Sequence, residues 1–124
     1  MNSHDMYQEH VLDHFAHPRN KEHVKNANAL ASNVNPLCGD TIGIEIRVKE
    51  GVIKTIGFTG TGCAISQASA SIITEFVKGK KISAVKRMTS DDVFDVIGVP
   101  VTNARKKCAL LAFQTIRKAL EGVV

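Results

Sequence analysis

The sharpest hydrophobic pattern in the chain is a strict alternation over residues 42–48. Its apolar members are Ile42, Ile44, Ile46 and Val48, with Gly43, Glu45 and Arg47 between them. Alternation of this kind is typical of a strand with one buried face. Glu50-Gly51 is a turn signal, and apolar residues resume from Val52 to Phe58. The sequence therefore predicts an antiparallel hairpin.

Apolar residues at helical spacing mark both ends of the chain. A helix is predicted over Tyr7–Ala16, with Asp5 as its N-cap and Pro18 ending it at about His17. Its apolar positions are Val11, Leu12 and Phe15. Another helix is predicted over about 104–121. Its apolar stripe is Leu110, Phe113 and Leu120, with Leu111 and Thr115 flanking Cys108.

The middle of the chain supplies the remaining elements. A helix from about Ile65 to Lys78, closed by Gly79, carries small residues in its first turns and can approach a sheet or a ligand closely. The other predicted elements are a loop with a short strand or turn over 21–35, and short helices over Ile82–Met88 and Asp91–Ile97, the latter capped by Thr89 or Ser90. Together they predict one α+β domain over residues 1–124, a small antiparallel sheet covered by helices.

Composition and the N terminus narrow the class of protein. Hydrophobic residues make up 44% of the 124 residues and charged residues 23%, as in ordinary globular domains. The N terminus lacks the basic start and apolar run of a secretory signal. An uncharged stretch over 55–74 has the length of a membrane span, but its glycine, serine and threonine content argues against one. We therefore expect a cytoplasmic protein that does not bind membranes.

The net charge of +4 is mild, and the cations concentrate in the second half of the chain. Aromatic residues make up only 5%, too few for a base-stacking platform, and no nucleic-acid motif is present, so we do not expect nucleic-acid binding. An acidic protein partner, or charge balance for an anionic metal site, explains the basic residues better.

Three cysteines, an odd number without a secretion signal, are poor material for a disulfide framework. Cys38 lies in a turn between Pro36 and Gly39, which lets the backbone wrap around an atom that the thiol holds. Asp40 can point at the same atom. Each cysteine taken alone is more often a small buried hydrophobic side chain than a metal ligand.

Cys63 and Cys108 occupy positions that favour a thiolate. Cys63 follows Gly60-Thr61-Gly62 at the start of a predicted helix, where unpaired N–H groups stabilise negative charge. Cys108 directly follows the cations Arg105-Lys106-Lys107. With the first cysteine and its neighbouring carboxylate, they predict a soft-metal site of three sulfurs and one oxygen. Zn²⁺ and a [2Fe–2S] core leave the same net charge there, so charge does not choose between them.

All five histidines fall in the first 23 residues: His4, His10, His14, His17 and His23. His10 and His14 have a helical spacing that can chelate a metal, but no HExxH pattern accompanies them, and we interpret them as solvated. A thiol enzyme would need a positioned base beside its nucleophile, Cys63 or Cys108. Since no histidine follows residue 23, we do not expect a thiol enzyme.

These residues resemble the iron–sulfur scaffold family of IscU, SufU and the NifU N-terminal domain over nearly the whole chain. The matching segments are Tyr7, Asp13-His14, Pro18-Arg19-Asn20, Asn35-Pro36-Leu37-Cys38-Gly39-Asp40, and residues 60–66, 68–71 and 104–111. The two central cysteine motifs are specific because their order and spacing both agree. The resemblance implies a SufE/NifU-like two-layer α+β fold with the ligands at one exposed end.

The resemblance also implies a chemistry. In the family, the residues that match Cys38, Asp40, Cys63 and Cys108 bind a [2Fe–2S] cluster or a zinc ion. The residue matching Cys108 receives persulfide sulfur from a cysteine desulfurase, and the finished cluster passes to recipient apo iron–sulfur proteins. A scaffold, which is not an enzyme, is therefore the first expectation. A zinc-bound sulfur acceptor of the SufU type, a zinc-dependent sulfurtransferase, is the alternative.

The chain departs from both types within this family. Lys107 stands where IscU-type members carry histidine before the third cysteine. Residues 99–103 replace their Leu-Pro-Pro-Val-Lys segment, which leaves recognition by a dedicated Hsp70 chaperone in doubt. The SufU-type insertion ahead of the last helix is missing as well, because Met88 and Cys108 are too close in sequence.

Overall fold

The computed structural model describes residues 3–37 and 39–123, with side chains from residue 9 onward within those ranges. The helices are α1 (Ser3–Ala16), α2 (Ala64–Val77), α3 (Ile82–Lys86), α4 (Ser90–Ile97) and α5 (Lys106–Leu120), with a 3₁₀ turn over Asn103–Arg105. The strands are β1 (Ala29–Asn35), β2 (Asp40–Lys49) and β3 (Val52–Thr59). The predicted α+β class is confirmed.

The three strands form one antiparallel sheet in the order β1-β2-β3. The predicted hairpin is its β2–β3 half, with Ile46 paired opposite Ile56. Glu50 and Gly51 both have positive φ, 56° and 74°, as a two-residue hairpin turn requires. β1 is an edge of this sheet, and Lys118 Nζ of α5 donates a hydrogen bond of 3.1 Å to the Ser32 carbonyl.

β1 is longer than the short strand or turn that the sequence predicts. Its exposed positions carry the larger apolar side chains, since Leu30 is 64% and Val34 59% exposed. Its partly covered positions carry Ala31 and Asn33. Because the larger apolar residues of this strand, Leu30 and Val34, face solvent, its hydrophobic pattern does not reveal it.

The core lies where the sheet meets α2 and α5. Its largest fully buried side chains are Phe58, Ile44, Ile46, Ile53, Ile73, Ile97, Ile116, Leu120, Val77, Val85, Val93 and Thr74. α2 is central, because it packs against α1, α4, α5 and β3. Small residues along it, such as Ala68, Ala70 and Ser71, allow these close approaches. In the part of the chain that the structure describes, no helix is long and apolar enough to span a membrane.

α1 differs from its predicted orientation. Of the expected apolar stripe only Val11 is buried, whereas Leu12 is 61% and Phe15 45% exposed. The helix packs on α2 through the buried His14 instead. Asp5, the expected N-cap, lies inside the helix, which begins at Ser3.

The other predicted helix ends are mostly confirmed. Lys78 is the C-cap of α2, and Gly79 follows with a φ of 85°. Thr89 caps α4 in a reciprocal capping box with Asp92. α3 is shorter than expected and ends at Lys86.

Candidate metal centre

Three side chains predicted as metal ligands come together in the structure, and two of them, Asp40 and Cys108, are buried. A carboxylate oxygen of Asp40 and the sulfurs of Cys63 and Cys108 all lie within 4.8 Å of one another. Asp40 is the first residue of β2, Cys63 precedes α2, and Cys108 lies in the first turn of α5. Three elements therefore each contribute one donor from their N-terminal end.

Cys63 is the N-cap of α2, as its position after the glycines predicts. Its backbone is extended, and its sulfur accepts a hydrogen bond of 3.4 Å from the Ser66 N–H. Gly62 allows this approach, because a Cβ there would lie 2.3 Å from Ser66 Oγ and 2.5 Å from Asp40 Oδ1. The turn before α2 therefore brings a sulfur and a carboxylate together only with glycine at 62.

Asp40 is a buried carboxylate with one oxygen left unpaired. The residue is 1% exposed, and its Oδ1 accepts a hydrogen bond of 3.0 Å from the Cys63 N–H. Its Oδ2 is buried and has no hydrogen-bond partner, a feature that it shares only with Gln67 Oε1 among the described residues. A buried unpaired carboxylate oxygen is costly unless a cation satisfies it. The donor atoms therefore fit a metal.

The spacing of the donors is close to that of a bound metal. In a tetrahedral zinc site with Zn–S bonds of about 2.3 Å, neighbouring donor atoms lie about 3.8 Å apart. The observed limit of 4.8 Å would have to shorten by about 1 Å on binding.

Cys108 is fully buried at 0% exposure and lies against Asn35. The amide nitrogen of Asn35 donates to the Cys108 sulfur at 3.8 Å. Sequence reasoning treated Asn35 only as part of a motif. The available signal was a polar residue at the end of a strand and directly before Pro36.

An open groove runs between β1 and α5 beside Cys108. It has a volume of about 290 Å³, and its lining residues are Asn33, Val34, Asn35, Pro36, Leu37, Lys107, Leu111 and Gln114. Leu37 is 78% exposed, so the turn that follows β1 lies at the surface.

Cys38, the fourth predicted ligand, lies outside the described residues, and its role stays a prediction. Gly39 beside it has a φ of 68°, the unusual backbone geometry that the sequence predicts for this turn.

The basic triplet before Cys108 is exposed at all three positions. The Lys106 ammonium lies 5.8 Å from the ring centroid of Phe94 on α4. Lys107 lines the groove. Exposed cations act on a thiolate through solvent, and their effect is screened by salt.

His14 is buried rather than solvated as expected. Its Nδ1 lies 2.7 Å from Ser71 Oγ, which also accepts a hydrogen bond of 2.8 Å from the Arg19 N–H. His10 is exposed and contacts His14 edge-on, with ring centroids 4.7 Å apart. Burial, followed by the charges of Arg19 and His10, lowers the pKa of His14 below its usual 6.5.

Comparison with known proteins assigns the family. The family model of the NifU-like N terminal domain matches residues 6–122. The chain belongs to this family. The match includes the three converging donor residues and most of the N-terminal helix.

The relatives in this family carry two kinds of name. An iron–sulfur cluster assembly scaffold protein IscU 1 of Archaeoglobus fulgidus is 36% identical over 115 residues, which cover 93% of this chain and 74% of that protein. IscU of Escherichia coli is 33% identical over 118 residues, covering 92% and 91%. A zinc-dependent sulfurtransferase SufU of Bacillus subtilis is 33% identical over 132 residues, covering 93% and 89%.

Solved structures of the family share the fold. A protein of Fervidobacterium islandicum, described as a candidate scaffold for the SUF system, superposes with a TM-score of 0.77 at 25% identity, covering 96% of this chain and 99% of that one. The N-terminal part of a NifU-like protein from Brucella abortus gives a TM-score of 0.77 at 20% identity, covering 94% and 93%.

Proposed function

We propose that this protein is an iron–sulfur cluster assembly scaffold that accepts sulfur from a cysteine desulfurase, assembles a [2Fe–2S] cluster and passes it to apo-proteins. The observation that carries the proposal is the convergence of Asp40, Cys63 and Cys108 around a buried, unpaired carboxylate oxygen. Cys38 would complete the donor set. Membership in a family whose relatives are named as scaffolds supports the same function.

Cys108 is the proposed acceptor of sulfur. Its thiolate attacks the outer sulfur of a persulfide on the desulfurase, forming a new S–S bond as the bond to the desulfurase cysteine breaks. The desulfurase keeps a thiolate and Cys108 carries the persulfide, so no electrons enter or leave. Because Cys108 is fully buried, its side chain must turn outward, and the groove beside it is the open side.

Asp40 suits a site that must also release its product. A carboxylate oxygen is a harder donor than a thiolate and holds soft metals less firmly. Its Oδ1 is already engaged by the Cys63 N–H, so only Oδ2 is free for the metal. Asp40 therefore keeps the cluster in place without a fourth thiolate bond.

A second function is supported by one relative and by the donor set. Three sulfurs and one oxygen also suit Zn²⁺, and a zinc-dependent sulfurtransferase is 33% identical to this chain. In that function Zn²⁺ holds the site as a resident metal. Cys108 would leave the metal to accept sulfur, and the other donors would keep the ion bound.

Analysis of the protein purified under anaerobic conditions separates the two functions. Iron and acid-labile sulfide in equal amounts, with visible charge-transfer absorption, are expected for the scaffold. One zinc per chain without sulfide would favour the sulfur acceptor. A protein that holds neither, and gains neither on reconstitution with iron and sulfide or with zinc, would contradict both.

The Asp40→Ala variant sharpens this result. A scaffold should hold its cluster longer during transfer to an apo-protein, whereas a zinc-bound acceptor should lose zinc and sulfur uptake. Asp95→Ala is the matched control, because Asp95 is an exposed carboxylate on α4. Equal cluster retention, zinc content and sulfur uptake in the two variants would show that Asp40 is not a ligand.

A further inference from the structure

Asn35 uses both ends of its side-chain amide. It is the last residue of β1 and only 6% exposed. Its Oδ1 accepts a hydrogen bond of 3.3 Å from the Leu37 N–H, and its Nδ2 donates to Cys108 Sγ at 3.8 Å. One side chain therefore contacts both the turn that carries Cys38 and the first turn of α5.

The orientation of this amide is fixed by the turn. Only an oxygen can accept the Leu37 N–H, so Oδ1 must face Leu37 and the N–H group must face the sulfur. The opposite orientation would place two N–H groups against each other and an oxygen against Cys108. The turn geometry therefore determines that Cys108 receives a donor rather than an acceptor.

Asn35 also stands at the base of the turn. In the β1–β2 register it is the partner of Asp40, so the two residues close the segment 36–39 that holds Cys38. Asn35 is thereby connected to two of the proposed ligands. It pairs with Asp40 through the backbone, and its side chain contacts the sulfur of Cys108 as well as the Leu37 N–H in the turn.

We propose that Asn35 is a positioning residue that ties the sulfur of Cys108 to the turn between β1 and β2, so that this sulfur is held in register with Asp40. The proposal rests on the proposed function, because it assigns Asn35 a role at that metal centre. An N–H group directed at a metal-bound thiolate orients the ligand and stabilises its charge, and loss of such an outer contact typically weakens metal binding roughly tenfold to hundredfold.

The Asn35→Asp variant separates the two halves of the amide. Aspartate keeps an oxygen for the Leu37 N–H but presents a second oxygen to the sulfur. Asn35→Ser tests the same loss without a new charge, because its hydroxyl can accept from the turn but is too short to reach Cys108. Asn33→Asp is the control, since it adds the same charge two positions earlier on β1.

Zinc affinity is measured by competition with a chromophoric chelator, and the sulfur-to-cobalt charge-transfer band by titration with Co²⁺. We expect Asn35→Asp to bind zinc at least tenfold more weakly, with a shifted and weaker cobalt band. Asn35→Ser should show a smaller loss, and Asn33→Asp should stay within twofold of the parent. The melting temperature of each metal-free variant reports the fold independently.

Three results overturn the inference. One is an Asn35→Asp variant with unchanged zinc affinity and cobalt spectrum. Another is a loss of affinity in both Asn35 variants that only parallels a fall in the metal-free melting temperature, since that is a structural role. The last is an equal loss in Asn33→Asp. If the parent protein binds neither ion and also takes up no cluster on reconstitution with iron and sulfide, the proposed function fails instead, and the two failures are thus distinguishable.

Discussion

Two buried polar regions of this protein differ in whether their polar groups are satisfied. Where α1 packs on α2, Ser71 Oγ meets both His14 Nδ1 and the Arg19 N–H, and each buried group has a protein partner. At the candidate metal centre, Asp40 keeps one buried oxygen without a partner. Polar groups that satisfy one another hold helices together, whereas a buried carboxylate with a free oxygen is available to a ligand.

The largest expected effect comes from removing a sulfur. Cys108→Ala should abolish zinc binding at stoichiometric concentrations, because the site loses a donor. The fold should persist, since alanine fits the buried position at a cost of about 1 kcal/mol in the free energy of unfolding. Metal content tests the loss of zinc binding, and urea denaturation of the metal-free protein tests whether the fold persists. A variant that still binds one zinc tightly would remove Cys108 from the site.

The α1–α2 contact should give the opposite result. Ser71→Ala removes the partner of two buried groups and should lower the free energy of unfolding by about 1–3 kcal/mol. Zinc affinity of the folded protein should stay within twofold. Ser69→Ala is the control, because Ser69 is also buried on α2 but lies on nearly the opposite side of the helix. A large fall in zinc affinity for Ser71→Ala but not for Ser69→Ala would show that the α1–α2 contact and the metal site are coupled.

The contact between α1 and α2 should also make the stability of the folded protein depend on pH, through His14. The pKa of His14 is lowered in the folded protein, chiefly by burial and then by Arg19 and His10. On acidification, the unfolded chain therefore binds a proton at His14 at a higher pH than the folded protein does. The stability that the neutral His14 contributes is present above about pH 6.5 and is lost as the pH falls below that value. The groups facing His14 also include Asp13 and Glu75, which oppose the shift.

Urea denaturation of the metal-free protein between pH 7.5 and 5 measures this dependence. The parent should lose stability on acidification, and His14→Gln should show a flatter profile. His17→Gln is the control, since His17 is exposed. Equal slopes for the parent and both variants would contradict a role for His14.

The smallest effect is expected on the outer face of α1. Leu12→Lys should change the free energy of unfolding by less than about 0.5 kcal/mol, because Leu12 is 61% exposed. Val11→Ala, one position earlier and buried, should cost about 1–2 kcal/mol. A larger loss of unfolding free energy for Leu12→Lys than for Val11→Ala would support the orientation of α1 that the sequence pattern predicts.

Local rules recovered the parts of the structure that local chemistry determines. The alternation at β2 and the helix ends at Cys63 and Gly79 follow from burial period and capping. β1 and the orientation of α1 do not, because Leu30 and Leu12 face solvent against their hydrophobicity. Only the packing of α5 and α2 decides which side of those elements is inside.

The site shows the same division. Asp40, Cys63 and Cys108 were predicted from their flanking residues and do converge. Asn35 could not be assigned a role in the same way, because its contact with Cys108 spans 73 residues of sequence. The sequence alone does not indicate such a contact, because it exists only when β1 and α5 lie side by side in the fold.

The hydrogen bond from Lys118 to the Ser32 carbonyl has a consequence for how these molecules behave at high concentration. An edge strand with free carbonyls and exposed leucine and valine is a template on which a second chain can add its own strand. Lys118 places an ammonium group at the middle of that edge. An incoming strand would have to displace the lysine and bring its own backbone against a positive charge. Edge-to-edge association of two molecules through β1 is therefore disfavoured.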